Sequence, residues 1–266
     1  MQKLLDEVVR VAREAGQMAR AAREIRTLQV MMKSSPQDLV TEVDREIEAH
    51  VVERLSRILP EAGFLAEEGT VREGSDVNLV WVIDPIDGTM NYIHHGRFFC
   101  TSIALVRDGV PVLGVIYDPI HEEMFTAMRG AGARLNGYPL SVHRERRLHE
   151  ALLATNMLWT QSFGTYEVRE VLGTLLRRSR GIRSLGAAAL EIAYVASGRF
   201  DAYLSMRLSP WDFAAGVLLV EEAGGVATDF YGGSLDVLRK PSAGFLVAAP
   251  RVGEDIAVLF AEAMRR

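Results

Sequence analysis

The chain has 266 residues, 48% hydrophobic and 24% charged, with 30 Lys+Arg against 35 Asp+Glu and a formal net charge of -5. That length supports a sizeable core, the composition excludes a disordered or fibrous chain, and an acidic balance without a basic run excludes a binder of nucleic-acid backbones. The single cysteine, Cys100, excludes an intrachain disulfide and fits a reducing, cytoplasmic setting.

The N-terminal stretch places Leu4, Leu5, Val8, Val9, Ala12, Ala15, Met18, Ala19 and Ala22 at helical spacing with charges at every turn. This predicts an amphipathic helix, not a signal peptide. No apolar run is long enough to cross a bilayer, so no membrane partner is expected. "MMKSSPQDLVTEVD" reads as a loop with turn chemistry at Ser34-Ser35-Pro36, followed by a helix from about Thr41 to Leu59 that Pro60 stops. "GFLAEEG" is a short strand ending in a paired glutamate, and "NLVWVID" a second strand. Between Phe98 and about Leu140, alternating β-branched segments are separated by Asp108-Gly109, Asp118-Pro119 and Asn136-Gly137, which predicts an antiparallel meander.

From Ala151 onward strands and helices alternate: strand "ALLATN", a helix over Tyr166 to Arg178, a short strand near Ile182, a helix over Ala187 to Ala196, then strand "FDAYLSM". Helix "WDFAAGVLLVEEA", strands "GVATDF" and "GFLVAA" and a last helix from Val252 complete the chain. Such alternation implies an α/β layered fold. No linker-like composition intervenes, so a single domain over 1–266 is expected, with lobes of about 1–150 and 151–266 and a site in the crevice between them.

"WVIDPIDGTMNY" at 81–92 carries the chemistry. Pro85 lacks an amide hydrogen and biases Asp84 toward extended backbone, so the strand is expected to stop there. Gly88 permits close backbone approach and Thr89 can begin a helix over "TMNYIHH". Two carboxylates and several free amides then face one small volume, which suits a hard cation and a phosphate together. A lone Asp-Pro is ordinarily a solvated turn; this string, with a strand before it and a helix after, is not ordinary. Further carboxylates stand at element ends in Glu67, Glu68 and Asp212. Taken alone, Asp212 reads as a first-turn residue favouring the helix dipole, and Asp44 in "LVTEVDREIE" as part of a solvated helix face. His94 and His95 are adjacent on a helix and point apart, so they read as rim residues.

The strings "KSSPQDLVTEVD", "LAEEG", "WVIDPIDGTMNY", "RSLGAAALEIAYVASGRFDAY" and "WDFAAGVLLVEEAGG" make the chain resemble the inositol monophosphatase family of Mg²⁺-dependent, lithium-sensitive phosphatases. The resemblance implies an αβαβα five-layer sandwich and a homodimer. It implies that Glu67, Asp84 and the carbonyl of Ile86 bind a first Mg²⁺, that Asp84, Asp87 and Asp212 bind a second, and that a weaker third ion lies near Glu67. It further implies that the amides of Gly88 and Thr89 hold the phosphate, and that Asp44 and Thr89 form a pair which, with Glu67, deprotonates the attacking water. Lys33 is placed on a mobile loop over the site, where the bare residue also reads as a solvated lysine.

Gly186, Ala187 and Ala188 match the family's backbone-lined substrate wall. Ser205 stands where animal members put a glutamate against sugar hydroxyls, and Arg207 reads equally as a contact to a second anionic group or as a surface residue. The expected substrate is a small phosphate monoester: inositol monophosphate first, a broader range including fructose bisphosphate or the 2′-phosphate of NADP second. A protein of another class, a protein-binding regulator with an inherited metal site, is the remaining alternative.

Overall fold

The computed structural model describes residues 1–25, 30–32, 39–157, 166–241, 243–263 and 265. Helix α1 (Gln2–Ile25) buries Val8, Val11, Ala12, Ala15 and Ala19 on one face, as its period predicts. Strands β1 (Val30–Met32) and β2 (Leu39–Thr41) then pair antiparallel, with Met31 opposite Val40. The sequence predicts a loop over this stretch; its apolar and β-branched flanks pair instead. Lys33 and the Ser34-Ser35-Pro36 turn lie outside the described residues. Helix α2 (Glu42–Ile58) starts from the N-cap Thr41 and ends just before Pro60, as predicted.

Strands β3 (Ala62–Ala66), β4 (Val71–Arg72) and β5 (Asp76–Asp87) lead to helix α3 (Thr89–His94). The meander follows as β6 (Cys100–Arg107), β7 (Val110–Asp118), β8 (Glu123–Met128), β9 (Ala133–Leu135) and β10 (Tyr138–Pro139). These strands form one eight-stranded sheet, ordered β10-β9-β8-β7-β6-β5-β3-β4, in which only β3 and β5 run parallel. The later elements are β11 (Leu152–Thr155), α4 (Tyr166–Arg178), β12 (Gly181–Arg183), α5 (Ala188–Ala196), β13 (Ala202–Ser205), α6 (Pro210–Glu222), β14 (Val226–Thr228), β15 (Phe245–Ala248) and α7 (Pro250–Ala263). They build a five-stranded sheet, β12-β11-β13-β15-β14, parallel across its first three strands and antiparallel across the last two pairings.

The layers are α1 and α2, the larger sheet, α5 and α6, the smaller sheet, then α4 and α7. This is the predicted αβαβα sandwich. Its middle layer explains the composition of α5 and α6: a helix covered by sheet on both sides is apolar all round, and α6 buries every residue from Phe213 to Val220. Gly114 on β7 lets α6 approach, since a Cβ there would lie 2.8 Å from the Ala215 carbonyl oxygen. One apolar core fills the space under α1 and α2; a second runs from the inner face of the larger sheet through α5 and α6 to α4 and α7.

One local expectation is corrected. The strand through "NLVWVID" does not stop at Asp84; β5 pairs with β6 as far as Asp87 opposite Cys100, after a register shift between Asp84 and Asp87. Pro85 cannot donate to the ladder, so the chain bulges there, and its carbonyl accepts a hydrogen bond from Thr101 Oγ1 at 2.9 Å. The bulge turns both aspartates toward the second half of the chain.

Candidate active site

Asp84, Asp87 and Asp212 offer carboxylate oxygens that all lie within 4.8 Å of one another. Two come from the bulge of β5 and the third from the first turn of α6. Ser102 explains why they meet: it sits opposite Asp84 on β6, and its Oγ donates to the carbonyl of Trp211 at 3.2 Å, fastening the start of α6 to the strand that carries Asp84. Trp211 is partly buried and packs against the core. Asp212 also closes a capping box, its Oδ2 accepting from Ser209 N at 2.7 Å. The helix-dipole reading and the site reading of Asp212 therefore hold together.

Glu67 follows β3 directly, its amide donating to the Ile83 carbonyl at 3.2 Å. Its carboxyl lies within hydrogen-bonding reach of Asp84. Burial, reinforced by Glu67, Asp87 and Asp212 alongside, holds the Asp84 carboxyl well above the usual carboxylate range. Burial does the same to Asp212, with Asp87 the neighbouring charge that adds most in that direction. Asp87 is pushed up to about 7 by burial, with Glu67 adding to the shift and the amides of Ala189, Ala188 and Leu190 opposing it. Asp84 Oδ1 is buried without any hydrogen-bond partner. Four acidic groups gathered together, Asp84 and Asp87 buried and Glu67 and Asp212 half-buried, with one buried oxygen unpaired, form an oxygen-only donor set that a hard cation fits.

The turn after the bulge is closed by Gly88, which caps α3 in the left-handed region at φ 88. A Cβ on Gly88 would lie 2.9 Å from the Phe98 carbonyl oxygen, so both conformation and space call for glycine. Thr89 Oγ1 lies 3.2 Å from Asp44 Oδ1 and 3.1 Å from the Ile86 carbonyl. Asp44 is buried, not on a solvated face: its Oδ2 accepts from Thr41 N at 2.9 Å and Thr41 Oγ1 at 2.5 Å. Burial raises the Asp44 carboxyl above its ordinary value, the Thr41 hydroxyl opposing.

The predicted substrate wall lies beside these groups. Gly186 turns at φ 84, Ala187 is the N-cap of α5 without a capping side chain, and Ala188 N donates to Asp87 Oδ1 at 3.1 Å. Ser205 is fully buried, and its Oγ accepts from Arg207 N at 3.0 Å, so it staples the turn after β13. Arg207 is exposed. His94 and His95 are exposed as well, as rim residues should be.

Three residues escaped sequence reasoning. Glu48, buried on α2, accepts from the amides of Glu68 at 2.6 Å and Thr70 at 3.0 Å and so fixes the turn that carries Glu67. Asn91 Nδ2 donates to Phe98 O at 2.9 Å and Leu185 O at 2.7 Å, joining α3 to the wall. Glu191 is buried in α5 and accepts from Leu185 N at 2.9 Å; burial pushes its carboxyl up to about 7. The signal for two of them was present: Glu48 falls in the buried stripe of Asp44, Ile47, Val51 and Leu55, and Glu191 is the one charge in "AALEIAYVA".

A five-layer fold thus holds a carboxylate nest, fit for a divalent cation, between its two halves. A family model described as the inositol monophosphatase family matches residues 1–265, and the chain belongs to that family. It is 41% identical over 244 residues, 90% of each chain, to the inositol-1-monophosphatase of Bacillus subtilis. It is 40% identical over 233 residues, 88% of this chain and 87% of the other, to the Nus factor SuhB of Escherichia coli. Among solved structures, the extragenic suppressor protein suhB from Bartonella henselae superposes with a TM-score of 0.89 at 36% identity, covering 97% of this chain and 98% of that one.

Proposed function

We propose that the protein is a Mg²⁺-dependent hydrolase of inositol monophosphate and similar polyol and sugar phosphates. The observation that carries this reading is the meeting of Asp84, Asp87 and Asp212 within 4.8 Å, beside a buried Asp84 oxygen that nothing else pairs. Like charges so close, two of them buried and the third half-buried, are stable together only when protonated or when a cation joins them. Glu67, Asp84 and the Ile86 carbonyl would hold one ion, Asp84, Asp87 and Asp212 a second, with a weaker third near Glu67. When bound, such ions neutralise the phosphate, lower the pKa of a water and stabilise the leaving oxygen.

The chain's own groups supply the remainder. The amides of Gly88 and Thr89 at the start of α3 would donate to the phosphate. With the Ile86 carbonyl turned to an ion, Thr89 would donate its hydroxyl hydrogen bond to Asp44 Oδ1, which leaves the Thr89 oxygen free to accept from the attacking water, with Glu67 as the companion base. Gly186, Ala187 and Ala188 present backbone and methyl groups, leaving room for a polyol ring. Ser205 is turned inward to Arg207 N and so is not offered to a sugar hydroxyl, and the exposed Arg207 is the cation two residues on that could meet a second anionic group. A homodimer in the cytoplasm is part of the same reading.

Phosphate release tests it, with inositol 1-phosphate, fructose 1,6-bisphosphate and NADP each assayed in Mg²⁺ and in EDTA. The expected result is Mg²⁺-dependent release, highest kcat/KM for inositol 1-phosphate, and inhibition by millimolar lithium. No release from any of the three would sink the phosphatase reading; preference for another ester would sink the inositol assignment alone. The name Nus factor carried by the Escherichia coli relative supports a second reading, a protein-binding role on the same fold. A role that survives in cells when turnover is abolished would favour that one.

A further inference from the structure

We propose that Glu191 is a positioning residue of this site: its carboxylate fixes the 185–187 turn so that the first amides of α5 can grip Asp87. The inference rests on the reading of Asp87 as a metal ligand. Helix α5 opens on Ala187, which has no side chain to satisfy the first helical amides. Asp87, more than a hundred residues earlier, does so instead, its Oδ1 accepting from Ala188 N at 3.1 Å and its Oδ2 from Ala189 N at 2.8 Å. The grip holds only if the turn before α5 delivers those amides to the bulge of β5.

The peptide at Leu185 sets that turn, and it is held from both sides. Its amide donates to Glu191 Oε1 at 2.9 Å, and its carbonyl accepts from Asn91 Nδ2 at 2.7 Å. Glu191 Oε1 reaches the Leu185 amide from inside an otherwise apolar helix, fully buried and with its Oε2 unpaired, where an apolar side chain would cost the fold far less. What the carboxylate adds at this position is therefore direction: it pulls the turn down onto the helix start. Glu191 touches no substrate atom, and its effect on the reaction passes through Asp87 and the pocket wall.

The test compares Glu191→Gln, Glu191→Ala and the unaltered protein, reading Mg²⁺ affinity by titration calorimetry without substrate, alongside kcat, KM and circular dichroism. Gln keeps an acceptor for the Leu185 amide, so its Mg²⁺ Kd should stay within about threefold of the parent. Ala removes the acceptor, and its Kd should rise by roughly 10–100-fold, as for other groups that orient metal ligands. KM should rise with it, while kcat at saturating Mg²⁺ recovers in part. A folded Glu191→Ala protein with parental Mg²⁺ affinity would overturn the proposal, whatever its thermal stability. Should Glu191→Ala fail to fold, Asn91→Ala releases the same Leu185 peptide from the other side. It must then weaken Mg²⁺ binding too, and an unchanged Kd there would equally overturn it. Because calorimetry needs no turnover, a parent protein that binds Mg²⁺ but hydrolyses none of the esters would end the phosphatase reading and leave the Glu191 comparison decidable.

Discussion

Asp87 and Ala189 are joined by a 2.8 Å hydrogen bond across 102 residues, so a carboxylate of the larger sheet caps a helix of the middle layer. Asp87→Asn should expose this double duty. An amide side chain has one acceptor for the two donors Ala188 N and Ala189 N, and it turns a third donor toward them. Turnover should fall by at least roughly 100-fold, and stability by about 1–3 kcal/mol. Phosphate release and urea unfolding followed by circular dichroism measure the two; parental activity would refute the site.

The metal-free protein should be more stable in mild acid than at neutral pH. Asp84 and Asp212 titrate well above the usual range and Asp87 near 7, whereas the unfolded chain releases these protons near pH 4. Between about pH 4 and 7 the folded state thus holds more protons than the unfolded one, and stability falls as pH rises through that window. Scanning calorimetry in EDTA should find a Tm that drops from pH 5 to 8, with a shallower slope in Asp87→Asn. Mg²⁺ should restore the Tm at pH 8 and have little effect at pH 5, because protonated carboxyls do not bind it. A flat profile in EDTA would contradict the buried-carboxylate account.

Thr89→Ala and Thr89→Ser should separate hydroxyl chemistry from shape. Removing the hydroxyl breaks the link to Asp44 Oδ1 and the contact to the Ile86 carbonyl, and should lower kcat by roughly 100- to 10,000-fold with KM little changed. Serine keeps the oxygen and should retain most of the activity. Equal losses in both variants would argue against a proton path through this pair.

Glu48→Ala tests how the turn of Glu67 is held. The variant leaves the amides of Glu68 and Thr70 without their carboxylate acceptor. Unfolding by urea should show a loss of about 1–3 kcal/mol, and Mg²⁺ half-activation should move to higher concentration as Glu67 loosens. Stability loss with unchanged Mg²⁺ dependence would restrict Glu48 to the fold.

Much of the fold was legible because its signals are local. The period of α1, the Thr41 cap of α2, the meander's turn dipeptides and the all-apolar "AAGVLLV" each report on a few neighbouring residues. The hairpin of β1 and β2 was missed because three-residue strands carry too short an alternation to register. The end of β5 was misplaced because Pro85 does break the ladder, but only for the length of a bulge, after which Asp87 pairs with Cys100.

By itself, then, the sequence determined which residue types were available and on which elements: carboxylates at strand ends and first turns, glycine where the chain must reverse, apolar runs where helices are to be covered twice. Tertiary structure alone decided which of those carboxylates meet. Asp84, Asp87 and Asp212 converge because Ser102 ties α6 to the strand beside β5 and because the start of α5 takes Asp87 as its cap, and Glu67 comes alongside because β3 pairs with β5. Burial then decided how they titrate, since pKa depends on dielectric and neighbouring charge. Neither is a property of any short stretch of chain.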